Sequence, residues 1–201
     1  PRYGFDFSRN IGTNLEVHGE FAYITHVKRM VINSKGIARQ KTFDGINYLA
    51  GLRYLSTRDT TYIIEYYHQG TGLTSEEMKD YFSFVNRGYE AYVAKKDLRL
   101  LSRAVALQSG GYATFTPGTD YLYLRISQKE PFDILYFTPA LTSIYNLRDR
   151  SFSVTPELLY APITNLEFRL RTGLLVAGKK HSEFGEKPYD YRIELRARYY
   201  F

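Results

Sequence analysis

Apolar and polar side chains alternate with a period of two over most of the chain, and this alternation limits the fold more than any other feature. It is clearest in residues 189–201, where odd positions are mainly apolar and even positions mainly charged. Successive side chains of a strand point to opposite faces, so this segment is predicted to be a two-faced strand. Similar segments predict nine strands in all, at 2–10, 15–28, 43–56, 61–69, 121–128, 134–147, 151–160, 166–176 and 189–201.

The predicted connections alternate in length. Short turns at 11–14, 57–60, 129–133 and 161–165 alternate with longer joins at about 29–42, 70–120 and 177–188, and only the join at 148–150 departs from the rule. Short connections on one side and long ones on the other are typical of an up-and-down β-barrel that crosses an outer membrane.

The 70–120 connection is too long for a structureless loop in a compact domain. Thr74 is followed by acidic residues and then by Met78 and Tyr81 at helical spacing. This pattern predicts one or two short helices near 74–108. An extra hairpin at 98–114 is the alternative.

Alternation alone does not decide which face meets water, because a soluble β-sandwich or a lipocalin-like protein also has one apolar face. The predicted strands are long, at about 10–14 residues, and a tilted strand needs about 9–11 residues to cross a bilayer. The apolar face lacks charge over whole strands. It also carries tyrosines toward strand ends, as an interfacial girdle requires. These tyrosines are Tyr23, Tyr54, Tyr62, Tyr66, Tyr160, Tyr189, Tyr191 and Tyr199.

Composition excludes several other classes. The chain has no cysteine, so disulfide frameworks and thiolate sites are excluded. It has no apolar run near the roughly 18 residues that a spanning helix needs. Hydrophobic residues are 44% of the chain, which argues against disorder. The fold class predicted is therefore an all-β, antiparallel, up-and-down transmembrane β-barrel.

The end of the chain carries a family resemblance. Residues 189–201, ending Ala-Arg-Tyr-Tyr-Phe with Phe201 last, resemble the C-terminal strand of Gram-negative outer-membrane β-barrels of the porin-like family. The resemblance implies a location in the bacterial outer membrane. It also implies that the barrel assembly machinery reads Phe201 as an assembly signal. One departure is the absence of tryptophan, a common girdle residue, although the 20 tyrosines provide a substitute.

Strand parity gives a further expectation. Bacterial single-chain barrels usually have an even number of strands, whereas this sequence predicts nine. We therefore expect residues 1–201 to be a single β-barrel domain that lacks at least one N-terminal strand, or residues 2–10 not to be a full strand. The 70–120 connection is expected to be extracellular.

The polar face is the only dense polar surface, and we predict that it lines the pore. A basic ladder along it would favour the passage of anions. The alternative is a network of ion pairs that fills a narrow barrel. The predicted pore-lining residues are Arg169, Arg171, Arg192, Arg196, Arg198, Glu167, Glu194, Glu16, His18 and Glu20.

No enzymatic, metal or cofactor motif accompanies these residues. His18 and Glu20 share a face, but His26 lies more than about 25 Å farther along a strand, which disfavours a metal site. The four histidines have no nucleophile signature beside them. Basic residues are spread out rather than clustered, so nucleic acid is not an expected partner. Basic outer loops instead suit the phosphates of lipopolysaccharide.

The function predicted is thus a porin-like channel for small or anionic solutes, or the membrane component of an export or uptake system. Two alternatives remain open: a filled structural barrel that anchors a periplasmic or surface partner, and an outer-membrane enzyme of the lipase or protease type. No enzyme activity and no cofactor are expected under the first two hypotheses.

Overall fold

A computed structural model describes residues 1–33, 35–108, 112 and 114–201. The strands are β1 (Arg2–Ile11), β2 (Leu15–Ile32), β3 (Ala38–Leu55), β4 (Thr60–Gln69), β5 (Asp120–Gln128), β6 (Phe137–Asn146), β7 (Phe152–Ile163), β8 (Leu166–Val176) and β9 (Tyr191–Tyr199). Two helices, α1 (Ser75–Lys95) and α2 (Arg99–Leu107), lie between β4 and β5. A short 3₁₀ helix, Pro131–Asp133, precedes β6.

The nine strands form one antiparallel sheet in sequence order, from β1 to β9. Each strand pairs with its neighbours in the chain, so β1 and β9 are the two edges and the described sheet is open. The predicted all-β, up-and-down antiparallel arrangement of nine strands is therefore confirmed. Within the described chain, neither helix is both long and apolar enough to cross a membrane.

The two ends of the sheet differ in their connections. The short-turn end carries residues 12–14, 56–59, 129–136 and 164–165, whereas the long-loop end carries 33–37, 70–119, 147–151 and 177–190. The predicted join at 29–42 is mostly wrong, because β2 and β3 extend into it, to Ile32 and from Ala38. The two strands pair there beyond a bulge between Ile24 and Val27.

The helical prediction in the long connection is confirmed, although α1 has 21 residues and is not short. Thr74 caps it: its Oγ1 accepts the N–H of Glu77 at 3.2 Å, and the carboxylate of Glu77 accepts the N–H of Thr74 at 3.0 Å. This reciprocal pair satisfies two backbone donors that the first helical turn leaves free.

The alternative hairpin at 98–114 is wrong where the structure describes it, because Arg99–Leu107 is helical. Residues 109–111 and 113 lie outside the described residues. Gly88 explains the close contact of the two helices, since a Cβ there would lie 3.1 Å from Leu101 Cδ2. The same Cβ would lie 3.2 Å from the backbone nitrogen of Leu101, so a larger residue requires a small local shift of α2.

The buried apolar core does not lie within the sheet but at its long-loop end. Side chains from α1, α2 and the extended tip of β2 meet there, and Phe84 and Ile32 are each only 2% exposed. Burial of such a side chain contributes about 1.5–3 kcal/mol, so this cluster fixes the helices on the strands. Its members are Val31, Ile32, Leu73, Met78, Tyr81, Phe84, Ala104, Leu107 and Tyr112.

We predict that Thr74→Ala loosens α1 by about 1 kcal/mol, because the substitution removes one half of the capping pair. Amide hydrogen exchange measures this as faster exchange along the first turns of α1. Ser75→Ala is the matched control, because Ser75 is exposed and supplies no side-chain cap. Equal exchange rates in the two variants would contradict the assigned cap.

Candidate functional site: the polar face of the sheet

The two faces of the sheet have opposite character. The apolar face is exposed from β3 to β9, with Ile64 at 44%, Leu158 at 42% and Leu195 at 74%. The strand register places these side chains in rows, for example Leu158 beside Leu170 and Leu170 beside Leu195. The exposed aliphatic members of the apolar face include Ile46, Leu52, Ile64, Leu124, Ile126, Leu141, Leu158, Ile163, Leu170, Leu174, Val176, Ile193 and Leu195.

The opposite, polar face carries all ten residues that the sequence predicts to line a pore. Three of them lie on β2, and the other seven lie on β8 and β9. The register brings Glu167 beside Arg198, Arg169 beside Arg196 and Arg171 beside Glu194. The sequence places these residues on one face, and the register decides which of them are neighbours. The group on β2 and the group on β8–β9 lie near opposite edges of the sheet.

On the β2 side, His18 is the centre of an acidic cluster. Its Nε2 lies 3.3 Å from Glu65 Oε1, and its Nδ1 lies 3.7 Å from Glu16 Oε1. Arg53 approaches Glu16 at 3.8 Å. A Cβ on Gly51 would lie 2.2 Å from His18 Nε2, so a larger residue at position 51 would clash with the imidazole in its present position.

In the middle of the polar face, two arginines share one carboxylate. Arg125 donates to Thr142 Oγ1 at 2.8 Å and lies 3.5 Å from Glu157 Oε1. Arg171 approaches the other oxygen, Glu157 Oε2, at 3.9 Å. The side chain of Glu157 is only 16% exposed, so solvent screens this group less than it would an ordinary surface pair.

The β8–β9 side also has more arginines than carboxylates. Glu194 is shared by Arg192 at 3.4 Å and Arg196 at 2.9 Å. Arg169 lies 3.6 Å from Glu167. The charge on the polar face is therefore uneven, with an acidic group on β2 and β4 and a guanidinium excess on β8 and β9.

Sequence reasoning missed four charged members of these clusters: Arg53, Glu65, Arg125 and Glu157. Each follows the period of two in its own strand and faces the same side as the predicted residues. The period of two in each strand was therefore enough to assign these residues to the polar face. The sequence does not show that Arg125 and Glu157 are close, since 32 positions separate them and the register of β5, β6 and β7 joins them.

A segment of the long connection also reaches the polar face. Phe115 lines a cavity of about 150 Å³ together with Arg171, Arg192 and Glu194. Tyr189, which precedes β9, lines the same cavity. An aromatic ring thus lies beside the guanidinium groups at the long-loop end of the polar face.

The tyrosines predicted to form a girdle lie near both ends of the sheet. Tyr54 and Tyr62 are paired by register and stack at 6.3 Å between ring centroids near the short-turn end. Tyr66 and Tyr23, nearer the long-loop end, donate hydrogen bonds to Asp120 at 2.6 Å and to Asp44 at 3.0 Å. The remaining predicted girdle residues, all exposed, are Tyr160, Tyr189, Tyr191 and Tyr199. Tyr189, however, lines the cavity on the polar face and does not lie on the apolar face. Phe201 follows β9 at the short-turn end and is fully exposed.

A buried polar cluster anchors the 177–190 connection to the sheet. Glu183 is 2% exposed and accepts hydrogen bonds through Oε2 from Tyr121 at 2.5 Å and from Asn146 at 2.8 Å. Its backbone N–H donates to Asp149 at 2.6 Å. Burial raises the pKa of the Glu183 carboxyl to about 7, although the hydrogen bonds from Tyr121 and Asn146 oppose the shift.

Among the described residues, no three histidines or carboxylates are arranged to hold a metal ion. His18 lies between carboxylates, but no described serine or other nucleophile is hydrogen-bonded to it. The described contacts of His18 are ion pairs with carboxylates, and they do not form the pair of nucleophile and base that a hydrolase dyad requires.

The comparisons with known proteins found no similarity. No protein-family model matches the chain, and neither a curated protein nor a solved structure matches it.

The raised pKa of Glu183 predicts that the attachment of the 177–190 connection to the sheet depends on pH. A carboxyl whose pKa is raised on folding stabilises the folded form below its unfolded pKa, and this contribution is lost as the pH rises through about 7. We expect backbone amides of 177–190 to be better protected at about pH 5 than at about pH 8, after correction for intrinsic exchange rates.

The matched variants are Glu183→Gln and Glu90→Gln. Glu183→Gln keeps the hydrogen-bonding shape without a titrating group, so its protection is expected to be the same at both pH values. Glu90 is exposed on α1, and its substitution is expected to leave the pH dependence intact. A pH dependence that survives in Glu183→Gln would contradict this assignment.

Proposed function

We propose that the chain forms the wall of an outer-membrane β-barrel and acts as a porin-like channel for small anionic solutes. One observation carries the proposal: the apolar face of the sheet is exposed from β3 to β9, while the charged side chains of β8 and β9 and the acidic group around His18 lie on the other face. A contiguous apolar surface of this kind is unfavourable in water and favourable against lipid.

Closure of the sheet belongs to this proposal. An edge strand has unpaired N–H and C=O groups, which are costly in hydrocarbon. The edges β1 and β9 would therefore pair with each other or with strands from elsewhere in the protein. Phe201 and the alternation before it resemble the assembly signal of outer-membrane barrels, which supports the same location.

The guanidinium excess on β8 and β9 supports the choice of solute. Because Glu194 and Glu157 are each shared by two arginines, positive charge is left on this side of the polar face. Such a surface attracts anions and repels cations along a pore. Phe115, beside Arg171 and Arg192, would narrow the pore at the long-loop end.

A filled barrel with a structural or anchoring role is the second candidate. The ion pairs across the polar face favour it, because a narrow barrel filled by its own side chains needs such pairs. The two candidates share the membrane location and differ in whether the reconstituted protein conducts ions.

The location in lipid is tested with tryptophan reporters, since the chain has no tryptophan of its own. Leu124→Trp places the indole on the apolar face, and Leu159→Trp places one on the polar face. In vesicles with brominated phospholipid we expect strong quenching for Leu124→Trp and weak quenching for Leu159→Trp. Equal quenching of the two would contradict a lipid-facing apolar face.

The channel is tested by conductance in planar bilayers. Arg171→Ala and Arg192→Ala are each expected to reduce the ratio of anion to cation permeability by a factor of roughly two to four, which is the effect of losing one screened charge. Arg58→Ala is the control, because Arg58 is exposed in the turn between β3 and β4. Lack of conductance in the wild type would overturn the channel and favour the filled barrel.

A further inference from the structure

A second cavity, separate from the polar face, lies at the long-loop end of the sheet. It has a volume of about 620 Å³ and lies between α1, the turn at 147–151 and the connection at 177–190. Cavities of roughly 300–1,000 Å³ are typical of small-molecule sites. Its basic lining residues come from all three segments: Lys79, Arg148, Lys179, Lys180 and His181.

Most of this positive charge has no counter-ion. Among the described residues, neither Lys79 nor Lys180 has a hydrogen bond or an ion pair. Lys179 Nζ donates to the backbone carbonyl of Arg148 at 3.1 Å, which leaves its charge uncompensated. Only Arg148 and His181 have carboxylate partners, Asp120 at 2.5 Å and Glu186 at 2.8 Å.

Among the described residues that line the cavity, Asp149 is the one carboxylate, and its oxygens already accept hydrogen bonds from neighbouring groups. Asp149 accepts from the backbone N–H of Ser151 at 2.9 Å, from Ser151 Oγ at 2.6 Å and from the backbone N–H of Glu183 at 2.6 Å. These donors are neutral, so Asp149 keeps its negative charge, but a single carboxylate does not offset Lys79, Lys179 and Lys180 together, and positive charge is left over in the lining.

The backbone around the cavity is fixed in advance. Asn146 Oδ1 accepts the N–H of Arg148 at 2.9 Å, and the N–H of Lys179 donates to the carbonyl of Asp149 at 2.8 Å. The connection at 177–190 is held to the turn by the buried Glu183 cluster. Basic groups from different segments therefore converge on one space without having to fold around a ligand, which reduces the cost of binding.

We infer that this cavity binds a phosphorylated ligand. Lysine is a compact point charge that suits the several oxygens of a phosphate, whereas a planar carboxylate is better matched by a free arginine fork. The hydroxyls of Ser75 and Ser83, which also line the cavity, supply neutral donors. The phosphate could belong to a lipid headgroup or to a soluble compound, and the chemistry of recognition is the same. This inference does not depend on the proposed channel.

The test is isothermal titration calorimetry of the purified chain in micelles of an uncharged detergent, with inorganic pyrophosphate as the probe. We expect saturable binding by the wild type. Lys79→Glu and Lys180→Glu should each weaken binding by about tenfold or more, through loss of a charge-assisted hydrogen bond and added repulsion. Both lysines are exposed, so circular dichroism should show an unchanged fold.

Lys129→Glu is the matched control, because it makes the same change of charge at the short-turn end. Its affinity for pyrophosphate should equal that of the wild type. A loss as large as in the other two variants would mean that pyrophosphate responds only to net charge, and it would overturn the site. Absence of saturable binding in the wild type would do the same.

The source of the phosphate is distinguished by adding short-chain phosphatidic acid or phosphatidylcholine to the micelles. Displacement of pyrophosphate by phosphatidic acid alone, sensitive to Lys79→Glu, supports a lipid headgroup. Binding of pyrophosphate with no displacement by either lipid supports a soluble phosphorylated ligand.

Discussion

Hydrogen bonding between neighbouring antiparallel strands is the constraint on which the rest of this structure depends. Each strand pairs with the next in the chain, and the period of two then fixes the character of both faces at once. A shift of one residue between two strands would exchange their faces. The apolar rows and the ion pairs are therefore two consequences of one register.

The sheet does not have a hydrophobic core of its own. The buried apolar cluster lies beyond it, where α1 and α2 pack on the tip of β2, and the apolar face of the sheet remains exposed. In water such a sheet would aggregate unless another surface buried its apolar face. In the proposed bilayer location, lipid buries that face. The same proposal accounts for the tyrosines near the strand ends and for the charged opposite face.

The long-loop end and the short-turn end have different tasks in this structure. Connections of at most eight residues join the strands at one end. The other end is built of helices, a buried carboxylate cluster around Glu183 and a lysine-lined cavity, and Phe115 extends from it toward the arginines of the polar face. In the two proposals, recognition of a ligand and control of access are assigned to the long-loop end, and passage of solute is assigned to the polar face.

The sequence by itself determined the strand pattern, the two faces and the helix that begins after Thr74, because these depend on neighbours two to four positions apart. It predicted that Arg171 and Glu194 face the same side. It did not determine that β2 runs past residue 28 or that β3 begins before residue 43, since their pairing there follows a bulge in the register and the helices cover Ile32. Nor did it indicate the Glu183 cluster or the lysine-lined cavity. Tyr121, Asn146 and Glu183 meet only when three distant segments pack together, and the resulting burial, which no local pattern encodes, raises the pKa of the carboxyl.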